Sequence, residues 1–285
     1  MISVVVPFHN VKRYIADSIE GLLAQSYPSE RLELIFVNNG SNDGSAEIVS
    51  RVENITVYDQ PVPGSYAARN LGIRHSSGEI IATLDPDCRP DRDWLVEAVR
   101  SLENPKCSIV LGHVRHAHSS TLLDLLEKYE AEKVSYIMDR GEANLYFGYT
   151  NNMAFRRKLF DEIGLFPERI RGGDTIFVHR AVDKFGVDVM TFNPQMRATH
   201  LELDTVKAYY AKRRIYGGSN EHIARTMDFR PLKNGERWQV FKRLVKNHRF
   251  SFKKTVLLLA LLAPGAVFYE AGRRKRMLEL ARKSD

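Results

Sequence analysis

Glu79-Ile80-Ile81-Ala82-Thr83-Leu84-Asp85-Pro86-Asp87 is an apolar run that stops at two carboxylates one residue apart. Five residues of mostly apolar, partly β-branched character bounded by charge and proline read as a buried strand. The aspartates then stand at the strand's carboxyl end, the edge of an open α/β sheet where loops converge on one crevice. Toward the N-terminus the same kind of run recurs at residues 2–7, 32–37 and 55–58. Between them lie helical patterns. Residues 14–25 place Ile15, Ile19, Leu22 and Leu23 at helical spacing until Tyr27-Pro28 ends the pattern. Residues 45–52 follow a group of Asn, Asp and Ser that favours a helix start, and residues 67–75 form a third helical stretch. Beyond Asp87 come a helix over 93–102, a strand over 108–113 and a long helical periodicity over 122–137. This alternation predicts an α/β fold, a Rossmann-like and mostly parallel sheet flanked by crossover helices.

Composition agrees with a substantial core. Of 285 residues, 44% are apolar and 27% charged, a globular balance that excludes a wholly disordered or collagen-like chain. The two cysteines, Cys88 and Cys107, imply no disulfide framework and fit a reducing compartment. Met1 leads straight into the first strand without a basic leader, so the expectation is a cytoplasmic protein.

Charge divides the chain. Residues 205–285 hold 20 Lys and Arg against 6 Asp and Glu, a net of +14, which leaves −7 for residues 1–204. Within the basic part, residues 255–269 carry no charge and are flanked by Lys253, Lys254 and Arg273-Arg274-Lys275-Arg276. Fifteen residues fall short of the roughly 20 that cross a bilayer, and Pro264-Gly265 is expected to break the run further. An element lying in the interface of an anionic membrane, or re-entering it, suits the basic flanks, and a buried hairpin is the alternative. The expected organisation is 1–204 with halves at 1–115 and 116–204, then a basic helical C-terminal extension at 205–285. No nucleic-acid motif accompanies the basic tail.

Three groups carry candidate chemistry. Asp85 and Asp87 can either cap the next element or, as hard oxygen donors, hold Mg2+ or Mn2+. Asp174, after Gly172-Gly173, can approach a substrate closely as a general base, or cap a helix over 175–184. His200 can add a nitrogen ligand to the same cation, or be structural.

Taken in order, Pro7-Phe8-His9-Asn10, Val37-Asn38-Asn39-Gly40-Ser41-Asn42-Asp43-Gly44-Ser45, Ala68-Arg69-Asn70-Leu71-Gly72 and Leu84-Asp85-Pro86-Asp87 resemble the family 2 glycosyltransferases with the GT-A fold. Thr150-Asn151-Asn152-Met153-Ala154-Phe155-Arg156-Arg157, Ile163-Gly164-Leu165-Phe166-Pro167 and Gly173-Asp174 continue the family's order, so the likeness covers about residues 1–200. The resemblance implies a GT-A catalytic domain over 1–204, with a nucleotide-sugar half and an acceptor half. It implies an inverting transfer from a nucleotide-diphosphate sugar, UDP-sugar favoured, to a glycan or lipid-linked acceptor, assisted by Mn2+ or Mg2+. Pro7, Phe8 and Asn10 would line the nucleotide pocket, Asn39 would read the base, Arg69 would hold the nucleotide, and Asp85 would contact ribose or metal. Asp87 and His200 would bind the metal, Asp174 would be the base, and Asn151, Asn152 and Gly173 would border the donor sugar and acceptor.

Two departures stand out. Asn38 and Asn39 replace the family's usual acids after the second strand, and an amide both donates and accepts where a carboxylate only accepts. Gly173 replaces the Glu that usually precedes the base. Two other readings share some of these features. A nucleotidyltransferase-like enzyme would carry a Gly- and basic-rich phosphate loop where residues 7–10 stand. A non-catalytic nucleotide-binding membrane scaffold would have no need of Asp87 and Asp174.

Overall fold

The computed structural model describes residues 1–117, 120–168 and 171–282. Among these, the strands are β1 (Ile2–Phe8), β2 (Leu32–Asn38), β3 (Ile55–Asp59), β4 (Ile80–Leu84), β5 (Cys88–Pro90), β6 (Ile109–His116), β7 (Asn152–Arg156) and β8 (Met190–His200). The helices are α1 (Ile15–Leu23), α2 (Ser45–Ser50), α3 (Ser65–His75), α4 (Trp94–Leu102), α5 (Thr121–Arg140), α6 (Arg157–Ile163), α7 (Gly173–Phe185), α8 (Val206–Ala224), α9 (Asn234–Asn247) and α10 (Phe252–Ala281).

The strands form one sheet in the order β3-β2-β1-β4-β7-β6-β8-β5. β3, β2, β1 and β4 are parallel, and β7 then runs antiparallel to both β4 and β6. The chain builds outward from β1 to β3 on one side and returns to lay β4 on the other. A topological switch point therefore lies between β1 and β4 at their carboxyl ends.

All seven residues of β1 are buried, which is why it reads as an unbroken apolar run. Ile2, Val4, Val6 and Phe8 face the main core with Ile15, Ile19 and Leu22 of α1 and Trp94 and Leu95 of α4. Val5 faces α3, and a Cβ on Gly72 would come within 2.5 Å of its Cγ1, so glycine lets α3 lie tight on the sheet. The first elements start and end within two residues of the sequence-based expectation. Strands β5, β7 and β8 lie outside that expectation. β8 alternates burial only in its last few residues, and such a strand is defined by its partners rather than by its own pattern.

The chain packs as two compact units, one of residues 1–115 and 147–201, the other of residues 116–146 and 202–285. The sequence-based division puts 116–146 with the acceptor half. In the structure α5 packs with α9 and α10 instead. Its charges meet partners from later helices. Tyr209 Oη donates to Glu130 Oε1 at 2.7 Å, Arg213 Nη1 lies 3.3 Å from the same oxygen, and Arg243 Nε lies 2.5 Å from Glu132 Oε1.

The uncharged run of residues 255–269 is neither broken nor folded into a hairpin. It lies inside the 30-residue helix α10, which continues through Pro264. Proline removes one backbone donor and crowds the preceding turn. Tyr210 Oη donates to Leu261 O at 2.8 Å, one residue along from Ala260, whose carbonyl the missing donor would have met. Close packing holds the helix to α8: a Cβ on Gly272 would fall 1.8 Å from Arg214 O, and one on Gly217 1.9 Å from Tyr269 O. By length and composition α10 could cross a membrane, and 28% of its most apolar window is buried.

Candidate active site

At the switch point the loops after β1, β2 and β3 are tied to one another by their own polar groups. Asn39 N–H donates to Phe8 O at 2.8 Å, and Asn42 N–H donates to Asn10 Oδ1 at 2.8 Å. Asn10 holds a left-handed backbone, φ 51°, which asparagine tolerates better than most residues. Asp43 accepts from Lys12 N–H at 2.8 Å and from the Ser45 backbone and hydroxyl. The Ser45 hydroxyl and these N–H groups hold its carboxyl at about 2.

Asn39 is engaged at every polar atom. Its amide donates to Gln60 O and to Val62 O, each at 2.8 Å, while its Oδ1 accepts from Gly64 N–H at 2.8 Å. The side chain thereby shapes the loop that leads into α3 and keeps a single lone pair on Oδ1 for any ligand. Pro7 and Phe8 are both buried, and Phe8 faces the core, its ring 6.3 Å from Phe36. Phe8 therefore supports the loop from beneath rather than presenting its ring to a nucleotide.

Arg69, 3% exposed, projects from α3 onto Asp85, with which it forms an ion pair, and donates to Ser65 O at 3.2 Å. Asp87 follows in a tight turn in which Cys88 N–H donates to Asp85 O at 3.0 Å. Its backbone accepts from Leu201 N–H at 2.8 Å, and Cys88 lies opposite His200 in the β5–β8 pairing. These bonds bring His200 Nδ1 to 3.5 Å from Asp87 Oδ2. Donor atoms of Asp87, Cys88 and His200 all lie within 4.8 Å of one another. A carboxylate oxygen beside a buried imidazole nitrogen fits a divalent cation such as Mn2+ or Mg2+. Cys88 is completely buried among core side chains, and Asp87 and His200 are the better donors.

Asp174 lies in the first turn of α7, entered through Gly172 at φ 79°. Its Oδ1 accepts from Thr175 N–H at 2.8 Å and its Oδ2 from Thr150 N–H at 3.4 Å. Burial pushes its carboxyl above the usual range, opposed by the Thr175 N–H, the Tyr66 hydroxyl, the Arg69 charge and the Thr150 N–H. Asp85, Arg69, Tyr66 and Asp174 thus form one connected line, since the Arg69 guanidinium also lies 5.8 Å from the Tyr66 ring centroid.

Tyr66 belongs to none of the candidate groups in the sequence. The signal available was its place three residues before Arg69, hence on the same helix face. Of the three residues expected to border the sugars, Gly173 packs on Tyr66, and Asn151 has a buried Oδ1 that accepts no hydrogen bond from the described residues. Asn152 is fully buried and lies elsewhere. It accepts from Trp94 Nε1 at 2.7 Å and donates to His113 O and Met196 O at 3.0 Å each, so its amide knits the sheet to α4.

The profile of Glycosyl transferase family 2 matches residues 3–164. Glycosyltransferase AglE of Haloferax volcanii is 32% identical over 206 residues, covering 68% of this chain and 66% of its own length. Probable glycosyltransferase YdaM of Bacillus subtilis is 26% identical over 235 residues, covering 78% and 56%. The chain thus spans less than two thirds of the length of these curated relatives. Among solved structures, mannosyltransferase PcManGT of Pyrobaculum calidifontis, in complex with GDP-Man and Mn2+, superposes with a TM-score of 0.69 at 19% identity, covering 98% of this chain and 87% of that one. TarS 1-349 of S. aureus, in complex with UDP-GlcNAc, does so at 0.52 and 16% identity, covering 94% and 81%. Both likenesses are of fold.

Proposed function

The chain belongs to glycosyl transferase family 2, and on that premise we propose that it transfers a sugar from a nucleotide-diphosphate sugar to a hydroxyl, with inversion and with the aid of a divalent cation. The observation that carries this reading is the connected line from Asp85 at the sheet edge through Arg69 and Tyr66 to the carboxylate of Asp174. It joins the nucleotide side of the crevice, at Asp85, to a base of raised proton affinity.

In this reading Pro7 and Asn10 frame the base pocket with Phe8 behind them, and Asn39 holds the loop beside it. Arg69 orients Asp85 toward the ribose. Asp87 and His200 hold Mn2+ or Mg2+, which when bound supplies positive charge to the departing diphosphate. Asn151 and Gly173 border the sugar. Asp174 takes the proton from the acceptor hydroxyl as its oxygen attacks the anomeric carbon and the bond to the diphosphate oxygen breaks on the opposite face. One displacement of this kind inverts the anomeric configuration.

The C-terminal extension attaches the enzyme to the cytoplasmic face of an anionic membrane, where a glycan or lipid-linked acceptor lies. Support comes from α10, which buries Leu258, Leu261 and Tyr269 on one face and exposes Phe252 (82%), Val256 and Val267 (68%) on others. Basic residues flank the run on both sides, and each can contribute about 1 kcal/mol near an anionic surface.

The test is incubation with UDP-glucose, UDP-GlcNAc, GDP-mannose and dTDP-glucose, with and without Mn2+, followed by NMR of the released or transferred sugar. A UDP-sugar is expected to be consumed in a cation-dependent way, with first-formed product of inverted configuration. Retention of configuration, or no turnover of any member, overturns the reading.

A further inference from the structure

The base lacks the acidic neighbour that its resemblance leads one to expect, and another side chain stands in the space. A Cβ on Gly173 would meet Tyr66 Cδ2 and Cε2 at 3.0 Å each and Pro167 O at 2.8 Å. The Tyr66 ring is 5% exposed, wedged between Phe166, at 5.9 Å between centroids, and the Arg69 guanidinium. With its ring packed on Gly173, its hydroxyl is set beside Asp174 and helps hold that carboxylate in its ionised form. A buried tyrosine hydroxyl needs such a partner.

We propose that Tyr66 is the positioning residue of Asp174, its hydroxyl fixing the carboxylate's orientation, and that glycine occupies position 173 because the Tyr66 ring and the Pro167 carbonyl together fill the space beside it. The proposal rests on the reading of Asp174 as the general base. Arg69 packs on the same ring and pairs with Asp85, so the aromatic ring also keeps the nucleotide side and the acceptor side in register. Burial, together with the neighbouring Asp174 charge, raises the Tyr66 hydroxyl well above its usual range against the pull of Arg69. It therefore stays protonated and donates throughout the working pH range. A donor to the carboxylate favours the ionised form that a base requires.

Tyr66→Phe removes the hydroxyl alone and keeps the ring against Gly173. With the most active sugar nucleotide of the panel above, kcat is expected to fall roughly tenfold or more, as for loss of one hydrogen bond to a charged group, while the donor KM stays within about twofold. Because a charge-stabilising donor is lost, the acid limb of the kcat profile should move to higher pH. A carboxyl 13C titration of Asp174, assigned with Asp174→Asn, should move the same way and requires no turnover. A wild-type kcat, or a lower kcat with both titrations unmoved, overturns the proposal, since a packing role alone would not shift them. Full activity in Asp174→Asn would instead overturn the reading of the base. Inactive Asp174→Asn beside a wild-type-like Tyr66→Phe would sink only the role of Tyr66.

Discussion

Nδ1 of His200 stands 3.5 Å from Oδ2 of Asp87. The two are far apart in sequence, and the Leu201 N–H bond to Asp87 O and the register of Cys88 on His200 bring them together. If they hold the cation, Asp87→Ala should abolish transfer, His200→Ala should weaken it strongly, and both should erase any rise in Tm caused by Mn2+ with nucleotide. Circular dichroism should report a folded chain in each. Full activity in excess EDTA would end the metal-assisted reading.

Asp174→Asn keeps the shape of the side chain and removes its basicity. A general base contributes about 10²- to 10⁴-fold, so kcat should fall by that order while nucleotide binding, measured by calorimetry, changes little. The carboxylate's proton affinity is raised, first by burial, and the base works only when ionised. Activity in the native enzyme should therefore fall as pH drops through a value above the usual carboxylate range. An acid limb at or below pH 4 would contradict this.

Asn39→Asp tests what the amide at 39 does. An ionised aspartate cannot donate to Gln60 O and Val62 O, and it sets negative charge against both carbonyls. Leaving such acceptors unpaired costs about 1–3 kcal/mol. Urea denaturation should show a loss of that order, and protease should cut the chain faster between residues 60 and 64. Equal stability with an altered preference among nucleotides would show instead that position 39 acts on the base directly.

The outward side chains of α10 can be changed without touching its packing on α8. Phe252→Ser combined with Val267→Ser should leave Tm nearly unchanged and lower co-sedimentation with anionic vesicles several-fold at 0.15 M salt or its equivalent ionic strength. Wild-type binding should itself weaken as salt rises. Failure of the wild type to bind such vesicles under any salt condition would assign the exposed apolar face to another role.

The amino-acid sequence by itself determined the parallel half of the sheet, because strands such as Ile2–Phe8 and helices such as Ile15–Leu23 announce themselves by local periodicity. It also marked Asp85, Asp87 and Asp174, which stand beside turns that short motifs spell out. What depended on partners far along the chain was decided only in three dimensions. His200 meets Asp87 through strand pairing, Asn152 turns inward because Trp94 and two carbonyls claim its amide, and Asn39 is taken up by its own loop. Tyr66 gains its place from a glycine on another helix, and α10 passes through Pro264 with Tyr210 bonded to the adjacent carbonyl and α8 packed along it. Periodicity records which face of an element is apolar. Which polar atom finds which partner depends on the long-range satisfaction of buried donors and acceptors, and no local pattern carries that information.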